Sequence, residues 1–260
     1  MLDRRLVTAL HVETLRHTEL HAEHAPHVLF QASTIGALLD GAYDGDVTFA
    51  ELAEHGDLGL GTLDALDGEM IALDGRFYRA DVDGGIHPVD PVARTPFAVV
   101  VAFAPTVDGE LSGPLDHDRF LALLDDFVPA DATSCAVRVD GAFDLVRARS
   151  VPRQHPPYRP LAEVIADEHV FELREATGTV VGFRFPDFAE GLEVSGYHLH
   201  FISDDRTRGG HVLSCRPRQV RVRVDPSNDL HVELPPEVDL ASTELARSTR
   251  EALRRAESDA

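Results

Sequence analysis

The spacing of apolar residues changes from a helical to a strand-like period within the first third of the chain. Residues 33–43, STIGALLDGAY, place Ser33 or Thr34 as an N-cap before an apolar run, which predicts a short helix. The capping-box pattern Thr48–Glu51 predicts a second short helix soon afterwards. Residues 57–84 then contain three Asp-Gly pairs between short apolar runs, and this turn chemistry predicts a β-meander.

The middle of the chain combines strand-like and helical patterns. The run FAVVVAFAP from Phe97 is almost continuously apolar, which predicts a buried strand. The segment DHDRFLALLDDF is amphipathic with a helical period, so a helix is predicted to begin near Asp116. Asp140-Gly141 separates CAVRV from FDLVRARSV, and this pair predicts a hairpin.

The second half of the chain consists mostly of short strand patterns. Thr177–Thr179, with a central glycine, separates HVFELREA from VVGFRFP, and further strand-like runs follow at short spacing. The tail ASTELARSTREALRRAE has a helical composition, with Ser242 or Thr243 as its cap. The pattern as a whole predicts an α+β protein dominated by strands, which are arranged in two sheets.

A proline-rich connection divides the chain into two parts. Prolines at positions 152, 156, 157 and 160 follow the last strand pattern of the first half. We therefore predict a strand-rich α/β domain over residues 28–155 and a β-rich domain with a helical tail over residues 156–260. Residues 1–27 are rich in His and Glu with only a loose helical spacing, so they are predicted to form a peripheral or mobile arm.

The segment GYHLHFISDDRTRGGHV carries the most informative chemistry. His198 and His200 are two residues apart in a strand pattern, so both side chains leave the same face. Asp204–Gly210 can reverse the chain, and His211 then begins a returning strand that can lie beside His200. Three converging imidazoles with open positions for water or substrate are typical of catalytic zinc. The pattern therefore predicts a metal site, in preference to three unrelated polar strand residues.

Strands with the pattern His-x-His also occur in cupins, a different class of β-rich protein. The cupin pattern requires a Glu separated from the second His by three or four intervening residues, and this chain has Asp204 and Asp205 at those positions. No second cupin motif follows downstream. The cupin interpretation is weakened by these differences and stays open.

The charge of the chain excludes several classes of function. The formal net charge is −21, and all basic residues are arginines. Such a surface would be repelled by nucleic acids and by anionic membranes, so neither is predicted as a partner. The absence of lysine also excludes a Schiff-base mechanism. No apolar run is long enough for a membrane span, and no signal-peptide pattern is present, so we expect a cytoplasmic protein.

Four long segments resemble the α-acetolactate decarboxylase family in the same order. They are STIGALLDGAYDGDVTFAELAEHGDLGLGTLDALDGEMIALDGRFY, PVDPVARTPFAVVVAF, RARSVPRQHPPYRPL and GYHLHFISDDRTRGGHVL. The resemblance extends from about Val28 to the C-terminus and leaves out the N-terminal arm. It implies a fold of two α/β domains with a zinc ion between them, usually assembled as a homodimer. The implied activity is the zinc-dependent decarboxylation of 2-acetolactate to acetoin and CO2.

The resemblance also implies roles for individual residues. His198, His200 and His211 match the three zinc ligands of the family. Four further residues match its active-site groups: Arg149 in RARSVP, Glu69 in LDGEM, Thr62 in GLGT and Glu257 in the tail segment RRAE. The proton donor is left unassigned among the arginine and the two glutamates. A non-catalytic, cupin-like protein that binds a metal or a sugar acid, and a zinc hydrolase, are the alternative functions.

Overall fold

The computed structural model describes residues 11–15, 26–189 and 191–234, and strands predominate within these ranges. The strands are β1 (His11–Leu15), β2 (Val28–Ala32), β3 (Val47–Thr48), β4 (Leu58–Thr62), β5 (Glu69–Leu73), β6 (Arg76–Ala80), β7 (Ile86–Pro88), β8 (Arg94–Thr95), β9 (Ala98–Val101), β10 (Val107–Ser112), β11 (Ser134–Ser150), β12 (His169–Phe185), β13 (Gly196–Ser203), β14 (Gly209–Ser227) and β15 (Asp229–Glu233). The helices are α1 (Ile35–Leu39), α2 (Phe49–Leu52), α3 (His117–Asp125) and α4 (Leu161–Val164). Short 3-10 turns span Asp64–Leu66, Ile165–Asp167 and Asp187–Ala189. The predicted dominance of strands is therefore confirmed.

The larger sheet has eight strands in the order β1-β15-β2-β9-β4-β5-β6-β7. Its central strands bury apolar side chains on both faces. Leu60 and Val99 belong to the core on one face, whereas Met70 and Val100 belong to the core on the other. A strand covered on both sides has no face that favours polar residues. This double burial explains the almost continuous apolar run that predicted β9.

The second sheet has five strands in the order β10-β14-β11-β12-β13, and β13 also pairs with β14. The additional pairing joins β11, β12, β13 and β14 into a closed ring of strands. Its interior core contains Val139, Phe143, Phe201 and Val222, and α3 contributes Phe120 to the same core. A separate core lies between the two sheets, where Val181 and Phe183 of β12 pack with residues of β4 and β9. The outward face of β13 is therefore directed toward the larger sheet.

The local signals at the helix starts act as predicted. The Thr34 hydroxyl accepts a hydrogen bond from the backbone N–H of Ala37 at 3.1 Å. Both bonds of the capping box between Thr48 and Glu51 are present at the start of α2. The Asp116 carboxylate caps α3 by accepting from the backbone N–H of Arg119 at 2.8 Å. The Asp-Gly pairs between residues 57 and 84 also lie in the turns before β5, β6 and β7.

The hairpin predicted at Asp140-Gly141 is wrong, because β11 continues through both residues without a turn. Gly141 instead allows a close approach between strands. A Cβ atom there would lie 2.3 Å from the carbonyl oxygen of Gln219 on β14, and the φ angle of the glycine is +149°. The break predicted at Thr177–Thr179 is also wrong, since Gly178 pairs directly with Gly141 inside β12. These glycines allow neighbouring backbones to approach closely within long strands, and they do not reverse the chain.

Strands from both sides of residue 155 contribute to each sheet. β15 lies beside β2 in the larger sheet, and β10 and β11 lie in the smaller sheet. The division of the chain into domains 28–155 and 156–260 stays a prediction. The helical tail predicted after Ser242 lies outside the described residues, as does most of the N-terminal arm. None of the helices in the described part of the chain combines the length and apolar character needed to cross a membrane.

Candidate active site

Two adjacent strands of the smaller sheet bring the three predicted histidine ligands together. His198 and His200 lie on one face of β13, while Leu199 and Phe201 point into the core of the smaller sheet. The turn after β13 returns the chain so that His211 of β14 pairs directly with His200. Gly210 permits this return, because a Cβ atom at that position would lie 2.7 Å from the carbonyl oxygen of Arg149.

The three imidazole rings form a compact buried cluster. Their centroids are 5.2 Å apart for His198 and His200, 5.1 Å for His198 and His211, and 5.3 Å for His200 and His211. One nitrogen from each ring lies within 4.8 Å of the others, and all three residues are buried. Two ligands about 2.0–2.1 Å from one tetrahedral ion lie about 3.3–3.4 Å apart. Nε2 of His200 and Nδ1 of His211 are 3.3 Å apart. The rings are therefore spaced to converge on a single ion.

A carbonyl group on the larger sheet fixes the orientation of His200. Its Nδ1 atom lies 2.8 Å from the Met70 carbonyl oxygen. A carbonyl only accepts, so Nδ1 carries the proton and Nε2 presents its lone pair. That Nε2 atom lies 3.3 Å from Nδ1 of His211. A backbone acceptor behind a histidine ligand is the usual device that selects the metal-binding tautomer.

The environment of the cluster favours neutral imidazoles. Burial, followed by the charges of His211 and Arg149, holds the pKa of His200 well below its usual range, although the Met70 hydrogen bond opposes this shift. Burial and then Arg149 also lower the pKa of His211 well below its usual range. A neutral imidazole has the lone pair that a metal ion requires. His200 and His211 are thus held in the form that binds cations.

The larger sheet supplies two of the other predicted residues. Glu69 and Thr62 pair with each other across β5 and β4. The Glu69 Oε2 atom lies 3.7 Å from Nε2 of His200, which places a carboxylate at the edge of the imidazole cluster. The Thr62 hydroxyl is buried and donates to the Gly68 carbonyl oxygen at 2.7 Å, so its proton is committed to the turn before β5.

Arg149 approaches the cluster from the end of β11. It lies opposite His211 of β14 and opposite Val170 of β12. The side chain is buried, and its Nη1 atom donates to Oε2 of Glu168 at 2.8 Å. Its Nε atom is buried and has no hydrogen-bond partner among the described residues. A guanidinium group held in this way can bind a carboxylate with its other N–H groups.

A cleft with about 530 Å³ of empty space, part of it open to solvent, lies where the two sheets meet beside the cluster. Its polar lining joins groups of the smaller sheet to groups of the larger one, and apolar side chains from α1 and α4 complete the wall. The lining residues are Ile35, Leu38, Gly61, Thr62, Leu66, Glu69, Phe97, Arg149, Val151, Leu161, Ile165, His198 and His211. A small polar ligand with an apolar side could therefore contact cation-binding nitrogens, a guanidinium group and a carboxylate together.

Six of the seven residues predicted for the site lie together, and Glu257 lies outside the described residues. Sequence reasoning missed Glu168, the partner of Arg149, and the apolar wall formed by Leu161 and Ile165. The four-residue spacing of these two fits one helix face, but the surrounding prolines indicated a connection. Glu168 stands in a short charged run and has no signal of its own.

Comparison with known proteins identifies the family. The family model described as alpha-acetolactate decarboxylase matches residues 29–247. The alpha-acetolactate decarboxylase of Methylococcus capsulatus is 49% identical over 234 residues, which cover 90% of each chain. That of Methanosarcina mazei is 42% identical over 240 residues, covering 91% of this chain and 82% of the relative.

A solved structure extends this similarity to the fold. The crystal structure of alpha-acetolactate decarboxylase from Bacillus subtilis strain 168 aligns with a TM-score of 0.83 at 34% sequence identity. The alignment covers 89% of this chain and 99% of that one. Family match, sequence identity and fold agree over nearly the same residues, so the chain belongs to the α-acetolactate decarboxylase family and is a decarboxylase, a carbon–carbon lyase.

Proposed function

We propose that this protein converts 2-acetolactate to acetoin and CO2, with a zinc ion held by His198, His200 and His211. The observation that carries the proposal is the position of the buried three-histidine cluster beside a pocket that also contains Arg149 and Glu69. The family relationship supports the substrate, since the relatives at up to 49% identity are named for it.

The chemistry of the donor set supports zinc. Three neutral imidazoles with space beside them match the ligand pattern of catalytic zinc sites, which keep positions open for water or substrate. Imidazole also suits copper, iron and nickel, so the ligand type alone does not select zinc. The described cluster has no thiolate, and the Glu69 carboxylate lies beside the rings. We infer that Glu69 contacts the groups bound at the open positions.

The reaction requires a group that stabilises the electron pair left behind when the carbon–carbon bond to CO2 breaks. When CO2 leaves the carbon that carries the hydroxyl group, the electrons of the broken bond pass to the neighbouring ketone oxygen and give an enediolate. A zinc ion held by the uncharged imidazoles of His198, His200 and His211 would supply a double positive charge that stabilises this developing anion. The chain itself has no lysine that could form an imine for the same purpose.

The protein side chains would orient the substrate and move its protons. Arg149 would hold the departing carboxylate with its guanidinium N–H groups, which fixes the direction of the bond that breaks. Glu69 would accept a hydrogen bond from the substrate hydroxyl group or carry the proton that completes acetoin at the former carboxyl-bearing carbon. The apolar wall near Leu161 would receive the methyl groups and exclude water from the anion.

Assembly and further site residues also belong to this proposal. We expect a homodimer, as the family resemblance implies, and cytoplasmic location stays a prediction. Glu257 is proposed as a second carboxylate of the site on the same resemblance. Thr62 is proposed as a structural member of the site, because its hydroxyl proton is bound to the Gly68 carbonyl oxygen.

A turnover assay distinguishes the proposal from its alternatives. Purified protein is mixed with 2-acetolactate, and CO2 and acetoin are measured beside a His198→Ala/His211→Ala double variant. We expect equal amounts of both products from the wild type and none above background from the double variant. Intact substrate bound without turnover would favour a binding protein. Hydrolysis of a model ester supplied in a parallel reaction, without CO2 release from 2-acetolactate, would favour a zinc hydrolase.

A further inference from the structure

The Arg149–Glu168 pair joins the pocket to the segment that covers one side of it. Arg149 is 7% exposed and Glu168 is 24% exposed in their side chains. Glu168 follows the 3-10 turn Ile165–Asp167, and its backbone N–H donates to the Ile165 carbonyl oxygen at 3.0 Å. Ile165 lines the pocket. The carboxylate is therefore attached to a segment that is itself part of the pocket wall.

We propose that Glu168 is a positioning residue that orients the Arg149 guanidinium for the substrate carboxylate. The inference rests on the function proposed above, because it assigns Arg149 to the substrate. Glu168 does not contact the reacting atoms in this scheme. It acts through the charge-assisted hydrogen bond that its Oε2 atom accepts from Nη1 of Arg149.

The need for such a residue follows from the length of the arginine side chain. Pairing with β12 and β14 fixes the backbone of Arg149 but leaves its rotatable side-chain bonds undetermined. Within the described residues, Glu168 accepts the side-chain hydrogen bond that holds this guanidinium, and the Nε atom has no partner. A planar guanidinium fixed at one nitrogen has a restricted direction for its other donors. Loss of Glu168 would leave the Arg149 guanidinium group in the pocket but would no longer fix its orientation.

The pair also balances charge in the pocket. Arg149 would otherwise be a buried cation beside a proposed divalent ion, which is unfavourable without a counter-charge. A second possibility is that Glu168 competes with the substrate carboxylate for Arg149. The two roles predict opposite changes in KM, since loss of a competitor lowers KM whereas loss of an orienting group raises it.

Steady-state kinetics of Glu168→Ala and Glu168→Gln with 2-acetolactate test the proposal. We expect kcat/KM to fall about 10- to 100-fold in Glu168→Ala, with raised KM and unchanged zinc content, as loss of one charge-assisted hydrogen bond implies. Glu168→Gln keeps the shape and an acceptor oxygen, so a smaller fall is expected. Asp167→Ala is the matched control, because it removes a neighbouring ion pair with Arg159 that does not line the pocket.

A double variant separates positioning from a general structural role. If Glu168 acts through Arg149, then Glu168→Ala causes no further fall in kcat/KM when Arg149→Met is already present. An equal fall in both backgrounds overturns the proposal, as does a lowered KM in either single variant of Glu168. Glu168→Gln decides the matter if Glu168→Ala does not fold, since wild-type kinetics in that variant also overturn it. A wild-type protein that does not turn over 2-acetolactate would instead refute the proposed function.

Discussion

Replacing Arg149 by lysine tests whether turnover requires the planar guanidinium group with its several N–H donors. The substitution keeps a positive charge in the pocket but reduces the planar group to a single nitrogen. Nη1 of Arg149 is committed to Glu168, which leaves the other nitrogens for a substrate carboxylate. A lysine nitrogen has to serve both partners, and its point charge lacks the bidentate geometry that matches a carboxylate.

The expected loss follows from the hydrogen bonds that lysine cannot reproduce. One charge-assisted hydrogen bond contributes about 1.5–3 kcal/mol. At about 1.4 kcal/mol for each factor of ten, the loss of one such bond in the transition state lowers kcat/KM about 10- to 150-fold. Zinc content should not change, because none of the three proposed histidine ligands is altered. The melting temperature should stay close to that of the wild type, since the ammonium group can still pair with Glu168.

Acetoin formation at several 2-acetolactate concentrations gives kcat and KM, and elemental analysis of the same samples gives the zinc content. Arg153→Lys is the matched control, because Arg153 is 51% exposed and pairs with Asp67 outside the pocket lining. The control should have wild-type kinetics. Wild-type activity in Arg149→Lys would remove Arg149 from the site. A parallel loss of zinc would show that the substitution acts on the metal rather than on the substrate.

Three further changes test other parts of the account. Glu69→Gln removes a charge beside the imidazole cluster and should lower kcat or zinc affinity about 10- to 100-fold, measured by steady-state kinetics and metal competition. Deletion of residues 257–260 should leave the melting temperature and zinc content nearly unchanged but reduce turnover about tenfold or more. Gly141→Ala should lower the free energy of unfolding in urea by about 1–3 kcal/mol, because both its φ angle and its neighbours oppose a Cβ atom.

Each of these changes has a control and a contradictory outcome. Glu251→Gln should behave as the wild type, and a reversed ranking of the two tail changes would shift the proposed site to Glu251. Gly113→Ala also places alanine at a positive φ angle, but apart from its own chain neighbours no described atom lies within 4 Å of the new methyl group. It should therefore destabilise less than Gly141→Ala, and equal losses would remove the steric argument. Wild-type kinetics and zinc affinity in Glu69→Gln would remove Glu69 from the site.

The histidine cluster could be predicted from sequence because its geometry is local. A two-residue spacing on a strand fixes the common face of His198 and His200, and the short return to His211 leaves few ways to reach the neighbouring strand. The structure agrees with that reasoning, and Leu199 occupies the opposite face. The helix caps at Thr34 and Thr48 could be predicted for the same reason.

Features that depend on distant residues could not be predicted in this way. Asp140-Gly141 has the composition of a turn, but pairing with two neighbouring strands, β12 and β14, keeps the chain extended through it. The parallel pairing of β15 with β2 joins residues that are about 200 positions apart, and no local pattern specifies it. The contact of His200 with the Met70 carbonyl oxygen depends on how the two sheets pack. The contact of Glu168 with Arg149 could be recognised only from the distance between the two side chains in the structure.

Removal and return of the metal tests the central claim most directly. Protein stripped with a chelator, and the same protein reloaded with zinc, are compared for metal content and for CO2 and acetoin released from 2-acetolactate. We predict no turnover in the stripped protein, restored turnover at about one zinc per chain, and neither binding nor turnover in His198→Ala/His200→Ala. Full turnover in the stripped protein, or a full zinc content in the double variant, would contradict the account.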